Sequence, residues 1–71
     1  MRLGLMWADF SKDNFAVKCN RAIKYYTEKY GMRPTAIQVN PKTAITDIPG
    51  IAIVQSRSIL PHHFWIGLTE D

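Results

Sequence analysis

The sequence predicts an α+β fold in which one long amphipathic helix packs on a mixed sheet of about four strands. Three observations lead to this class: one segment has apolar residues at helical spacing, several shorter runs are β-prone, and Gly or Pro turn signals separate those runs. The elements follow in the order β-α-β-β-β, with a short turn or helical turn before the third strand. The 71 residues leave room for a single small domain, residues 1–71, because domains rarely fall below ~50 residues.

The chain begins with a predicted strand that leads into the helix. Met1–Asp9 is apolar but too short for the hydrophobic region of a secretory leader, so we interpret it as a strand. The helix is predicted over about Lys12–Tyr30, with Ser11 as its N-terminal cap and Gly31 as its end. The apolar residues of this segment fall on one arc of the helix: Phe15, Ala16, Cys19, Ala22, Ile23, Tyr26 and Tyr30.

Three later runs complete the predicted sheet. Thr35–Val39 is β-prone, Ile51–Val54 follows the turn signal Asp47–Gly50, and His63–Leu68 is the last run. The connection through the helix is long enough to make the first two strands parallel. The last two strands are close in the sequence, with Leu60-Pro61-His62 as their connection, and we expect them to form an antiparallel hairpin.

Composition and charge exclude several classes of protein. The chain is too apolar for intrinsic disorder, and it has no tract of ~18 apolar residues that would span a membrane. Its single cysteine, Cys19, cannot form an intrachain disulfide, which favours a cytoplasmic location. Nine Lys and Arg against six Asp and Glu give a net charge of +3, which allows contact with nucleic acid without requiring it.

No motif in the sequence predicts catalysis, a metal site or a cofactor. Cys19 lies on the apolar arc of the helix, where a free cysteine behaves as a small hydrophobic core residue. His62 and His63 are adjacent, so on a strand their rings point to opposite faces, and a zinc site needs three or four converging ligands. The six acidic residues have no spacing typical of a paired general acid and base, and the four glycines form no phosphate-binding loop. We therefore predict a protein that is not an enzyme.

The polar side of the helix supports one alternative function. Basic residues flank an aromatic ring there, a combination that could bind the backbone and bases of DNA or RNA. The residues of this alternative are Lys18, Arg21, Tyr25, Lys29 and Arg33. Such residues are also typical of any solvated helix face, so weak nucleic-acid binding is the second hypothesis.

The apolar residues on both faces of the strands favour self-association. Because a single helix covers one face of a sheet, the other face stays without a cover unless the segment around Ile45 and Ile48 folds over it. Exposed apolar surface usually marks a partner, and a second copy of the same chain is the commonest one. We therefore predict a small interaction or assembly module, a homodimer or a binder of another protein, with Trp7, Val54 and Trp65 at the contact.

Overall fold

Five elements form in the predicted order β-α-β-β-β. A computed structural model describes residues 2–69, so Met1, the start of the first predicted strand, lies outside the described residues. The elements are β1 (Arg2–Ala8), α1 (Phe15–Tyr30), β2 (Ala36–Val39), β3 (Ala52–Gln55) and β4 (His63–Leu68). The α+β class, with one helix and a mixed four-stranded sheet, is confirmed.

The helix begins three residues later than the sequence pattern predicts. Asn14, and not Ser11, is the N-terminal cap: its backbone is extended, and its side-chain oxygen accepts a hydrogen bond of 3.0 Å from the N–H of Val17. The predicted C-terminal end is confirmed, since Gly31 has a φ of 72° and its N–H donates to the carbonyl of Thr27 at 2.8 Å.

The strand order β1-β4-β2-β3 differs from the predicted hairpin. The strand β4 lies between β1 and β2 and runs antiparallel to both, whereas β3 pairs only with β2, in parallel. The expected hairpin of the last two strands is therefore wrong. The central position buries Phe64 and Ile66 of β4, while Val54 and Gln55 of β3 are exposed and suit the edge of the sheet.

The hydrophobic core lies between α1 and one face of the sheet. Phe15 packs its ring edge-on against Phe64, with centroids 5.6 Å apart, and the Tyr26 hydroxyl donates to the Leu3 carbonyl at 2.7 Å. Ile48 is buried in this same core. Ile48 therefore lies on the helix side, which contradicts the alternative that the segment around Ile45 and Ile48 covers the opposite face. This segment forms turns and not a helical turn.

No helix within residues 2–69 combines the length and the apolar character that crossing a bilayer requires.

Candidate functional site: the open face of the sheet

The open face, by which we mean the face of the sheet opposite α1, carries a row of side chains that crosses all four strands. In β4 the residues on either side of Trp65 are buried in the core, so Trp65 points to the open face. The strand register places Met6 of β1 on one side of Trp65 and Gln38 of β2 on the other. Gln38 in turn lies beside Val54 of β3. We call these four residues the cross-strand row.

Trp65 lies across the backbone of β1. A Cβ atom at Gly4 would stand only 2.7 Å from the indole ring of Trp65, so glycine leaves the space that the ring occupies. Trp65 is half-buried as a result, while Met6 and Val54 at the flanks of the row are each 47 % exposed. The most accessible apolar side chains of this face are thus at its two outer strands.

The side chains described on the open face carry no full charge. By alternation along the strands its residues are Gly4, Met6, Ala8, Ala36, Gln38, Ala52, Val54, His63, Trp65 and Gly67. Of the side chains that the structure describes there, none is Asp, Glu, Lys or Arg. The charged side chains that the structure describes therefore lie on other surfaces of the molecule.

The structure brings together two of the three predicted contact residues. Trp65 and Val54 share the open face, whereas Trp7 packs on the helix side with its ring centroid 5.5 Å from that of Tyr25. The indole Nε1 of Trp7 is buried and has no hydrogen-bond partner among the described residues. Met6, the neighbour of Trp7 in the strand, lies on the open face instead of Trp7. Sequence reasoning missed Met6, although the alternation of the strand was its signal.

Arg21 of the predicted nucleic-acid surface forms ion pairs within the chain. One guanidinium nitrogen lies 3.2 Å from both the Asp9 carboxylate and the Ser11 hydroxyl, and the other donates to Asp13. The hydrogen bonds that Arg21 donates, to Asp13 first and to Asp9 second in importance, raise the pKa of Arg21. Hydrogen bonding from Ser11, with Arg21 beside it, lowers the pKa of Asp9. The guanidinium group of Arg21 is therefore paired with the carboxylates of Asp9 and Asp13.

The other residues of that surface are partly engaged as well. Arg33 donates to the carbonyl of Pro49 at 3.0 Å, and the ammonium group of Lys29 stands 5.6 Å from the centre of the Tyr30 ring. Tyr25 faces the indole of Trp7, and Lys18 is half-buried. The five predicted residues thus form no uninterrupted positive surface, and nucleic-acid binding stays a prediction.

Of the two histidines, His62 lines a cleft of about 290 Å³ and His63 does not. The residues that line it are Asn40, Lys42, Thr43, Ala44, Pro61, His62 and Phe64, and no carboxylate of the described residues is among them. His62 has a left-handed backbone with a φ of 66°, and the Phe10 ring lies 5.3 Å from its imidazole. The Nδ1 atom of His63 lies 2.9 Å from the Pro61 carbonyl. Within residues 2–69 no three His, Cys, Asp or Glu side chains stand close enough to hold a metal ion.

Comparisons with known proteins add no function to this geometry. No family model matches the chain, and neither a curated protein nor a solved structure gives a significant match. The open face and its cross-strand row are therefore the features on which a function can be argued.

Proposed function

We propose that the protein is a non-catalytic assembly module that associates with a second copy of itself through the open face. The observation that carries this proposal is the cross-strand row, which is apolar except for one neutral amide and spans the whole width of the sheet. The helix and the segment before β3 already complete the core on the other side. A second copy would supply the cover that the open face lacks.

Charge favours a second copy as the partner. Two molecules with a net charge of +3 repel each other, so a contact between them is most stable where neither presents a full charge. The open face meets that condition. A two-fold contact also needs a surface that is complementary to itself, which a neutral apolar row satisfies without a matching pattern of opposite charges.

The dimensions of the molecule set the area of such a contact. The two longest extents, 28 and 22 Å, limit any side of the molecule to roughly 600 Å² per copy, or about 1,200 Å² for both, at the lower end of stable specific interfaces. The dimer would therefore use nearly the entire open face.

The buried free thiol of Cys19 suits a reducing compartment, and we place this assembly in the cytoplasm.

A single lysine on the open face tests the proposal. Met6→Lys puts a charge at an exposed position of β1, where the fold tolerates it but a close contact does not. We expect it to raise the dissociation constant of the face contact at least about ten-fold, measured by sedimentation equilibrium. The matched control is Val17→Lys, which makes the same change at a position of α1 that is 37 % exposed and leaves association unchanged. A wild-type monomer at high micromolar concentration, or equal weakening by both variants, would refute the proposal.

A further inference from the structure

The outer edge of β3 exposes backbone hydrogen-bonding groups. The N–H groups of Ala52 and Ser56, at the two ends of the strand, donate toward the β2 side at 2.9 and 2.8 Å. Because these groups alternate in direction along a strand, the N–H and C=O groups of Ile53 and Gln55 point to the outer side. No further strand within residues 2–69 lies there.

The two edges of the sheet differ in how they are protected. Sheet edges are commonly protected from pairing by charged residues, proline or bulges. The edge strand β1 is irregular in this way: its register shifts between residues 2 and 5, and Leu3 has a left-handed φ of 48°. The edge strand β3 contains only Ala, Ile, Val and Gln and pairs with β2 in an unbroken register. It is the edge that is open to another strand.

We propose that β3 pairs antiparallel with β3 of a second copy, so that the two sheets join into one of eight strands. The pairing is centred on Val54. In this register Ile53 of each copy lies opposite Gln55 of the other, and each of these two pairs exchanges two hydrogen bonds. The inward-pointing backbone of Val54 then forms the closer, non-hydrogen-bonded pair, with its side chain against its counterpart on the open face.

The second copy fits this edge better than an unrelated peptide does. Two β3 edges present the same groups in the same spacing, so a two-fold axis perpendicular to the sheet satisfies the outward groups of both copies at once. That axis keeps both helices on one side and both open faces on the other. The inference rests on the proposed function for the identity of the partner and adds a second contact to it. When the axis of the face contact runs along the cross-strand row and intersects the axis of the edge contact at a right angle, the two contacts together close as a tetramer of two stacked sheets.

Proline at Gln55 tests the edge contact. Gln55→Pro removes an outward N–H and leaves the bonds to β2 intact, since proline is tolerated on an edge strand where its nitrogen faces solvent. The control Gln55→Ala removes the same side chain and keeps the N–H. We expect the wild-type and Gln55→Ala proteins to be tetramers, Gln55→Pro and Met6→Lys each to be dimers, and the double variant to be a monomer, all by sedimentation equilibrium.

Amide hydrogen exchange gives a second readout. In the assembled Met6→Lys protein the Ile53 amide should exchange at least ten times more slowly than in the monomeric double variant. The double variant has no amide at position 55, so the Gln55 amide is compared with that of the Met6→Lys protein diluted below its dissociation constant. The same slowing of at least ten-fold is expected there. If Gln55→Pro keeps the wild-type mass, the edge inference is overturned while the proposed function stands. If Gln55→Pro lowers the mass and Met6→Lys does not, the edge contact stands and the face contact fails. A wild-type monomer overturns both.

Discussion

Cys19 illustrates how its place on the helix determines the chemistry of a residue. It is completely buried on the apolar side of α1, and burial raises the pKa of its thiol to about 12. The thiolate is the reactive form of cysteine, so the folded protein holds the group in its unreactive form at neutral pH. The position on the apolar arc predicts this role from the sequence alone, because helical spacing is a local property.

The buried thiol should make stability depend on alkaline pH. Above a pH of about 9 the unfolded chain loses the thiol proton while the folded chain retains it, so the free energy of unfolding decreases as the pH rises toward 12. Urea denaturation at pH 7 and pH 10 measures the difference. Cys19→Ala should lack this part of the decrease, and thiol reagents should modify the folded wild-type protein only slowly. Rapid modification at neutral pH would contradict the burial of Cys19.

At the scale of elements, the start of α1 depends on which of two good capping residues is used. Ser11 and Asn14 are both favourable caps in isolation. Ser11 instead takes part in the turn that follows β1, where its N–H donates to Asp9 at 3.0 Å and its hydroxyl contacts Arg21. Asn14 is left to cap the helix. The sequence could not distinguish the two, because Arg21 is ten residues beyond Ser11 and this contact forms only after folding.

Substitution of each candidate separates their roles. Asn14→Ala removes the acceptor of the Val17 N–H and should lower the free energy of unfolding by about 1 kcal/mol. Ser11→Ala removes only exposed side-chain hydrogen bonds and should change it by less than about 0.5 kcal/mol. Urea denaturation at neutral pH measures both. A larger loss for Ser11→Ala would show that the cap is misassigned.

The open face was predictable as a property of the strands but not residue by residue. Apolar residues on both sides of the runs, together with one helix, were enough to predict an uncovered face and to include Trp65 and Val54. Trp7 lies on the helix side instead, because neighbouring strand residues point in opposite directions and a difference of one position exchanges the two faces. The space that Gly4 leaves for Trp65 depends on the pairing of β1 with β4, which no local pattern reports.

At the scale of the whole molecule, the strand order sets how the fold is completed. Within residues 2–69, β4 is the final strand, and it supplies the only partner of β1 as well as the second partner of β2. A hairpin was expected because the last two strands are close in sequence. In the centre of the sheet, however, β4 buries more of its helix-side residues than it would at an edge. The strand pairing therefore follows from the burial of β4 between strands distant in the sequence, and not from the short connection between β3 and β4.

Removal of β4 should prevent folding and not merely weaken the fold. A chain of residues 1–62 lacks both contacts of the central strand, and we expect it to show neither the helical circular-dichroism signal nor the dispersed NMR spectrum of the whole protein. Addition of a peptide of residues 61–69 should restore part of both signals. Cooperative unfolding of residues 1–62 alone would contradict this expectation.

The central position of β4 also determines when the other strands can complete their pairing during synthesis. A growing chain has no partner for β1, and no Trp65 on the open face, until residues 63–68 have left the ribosome. The four-stranded sheet therefore cannot form until residues 63–68 are available, and the cross-strand row is complete only after β4 has paired.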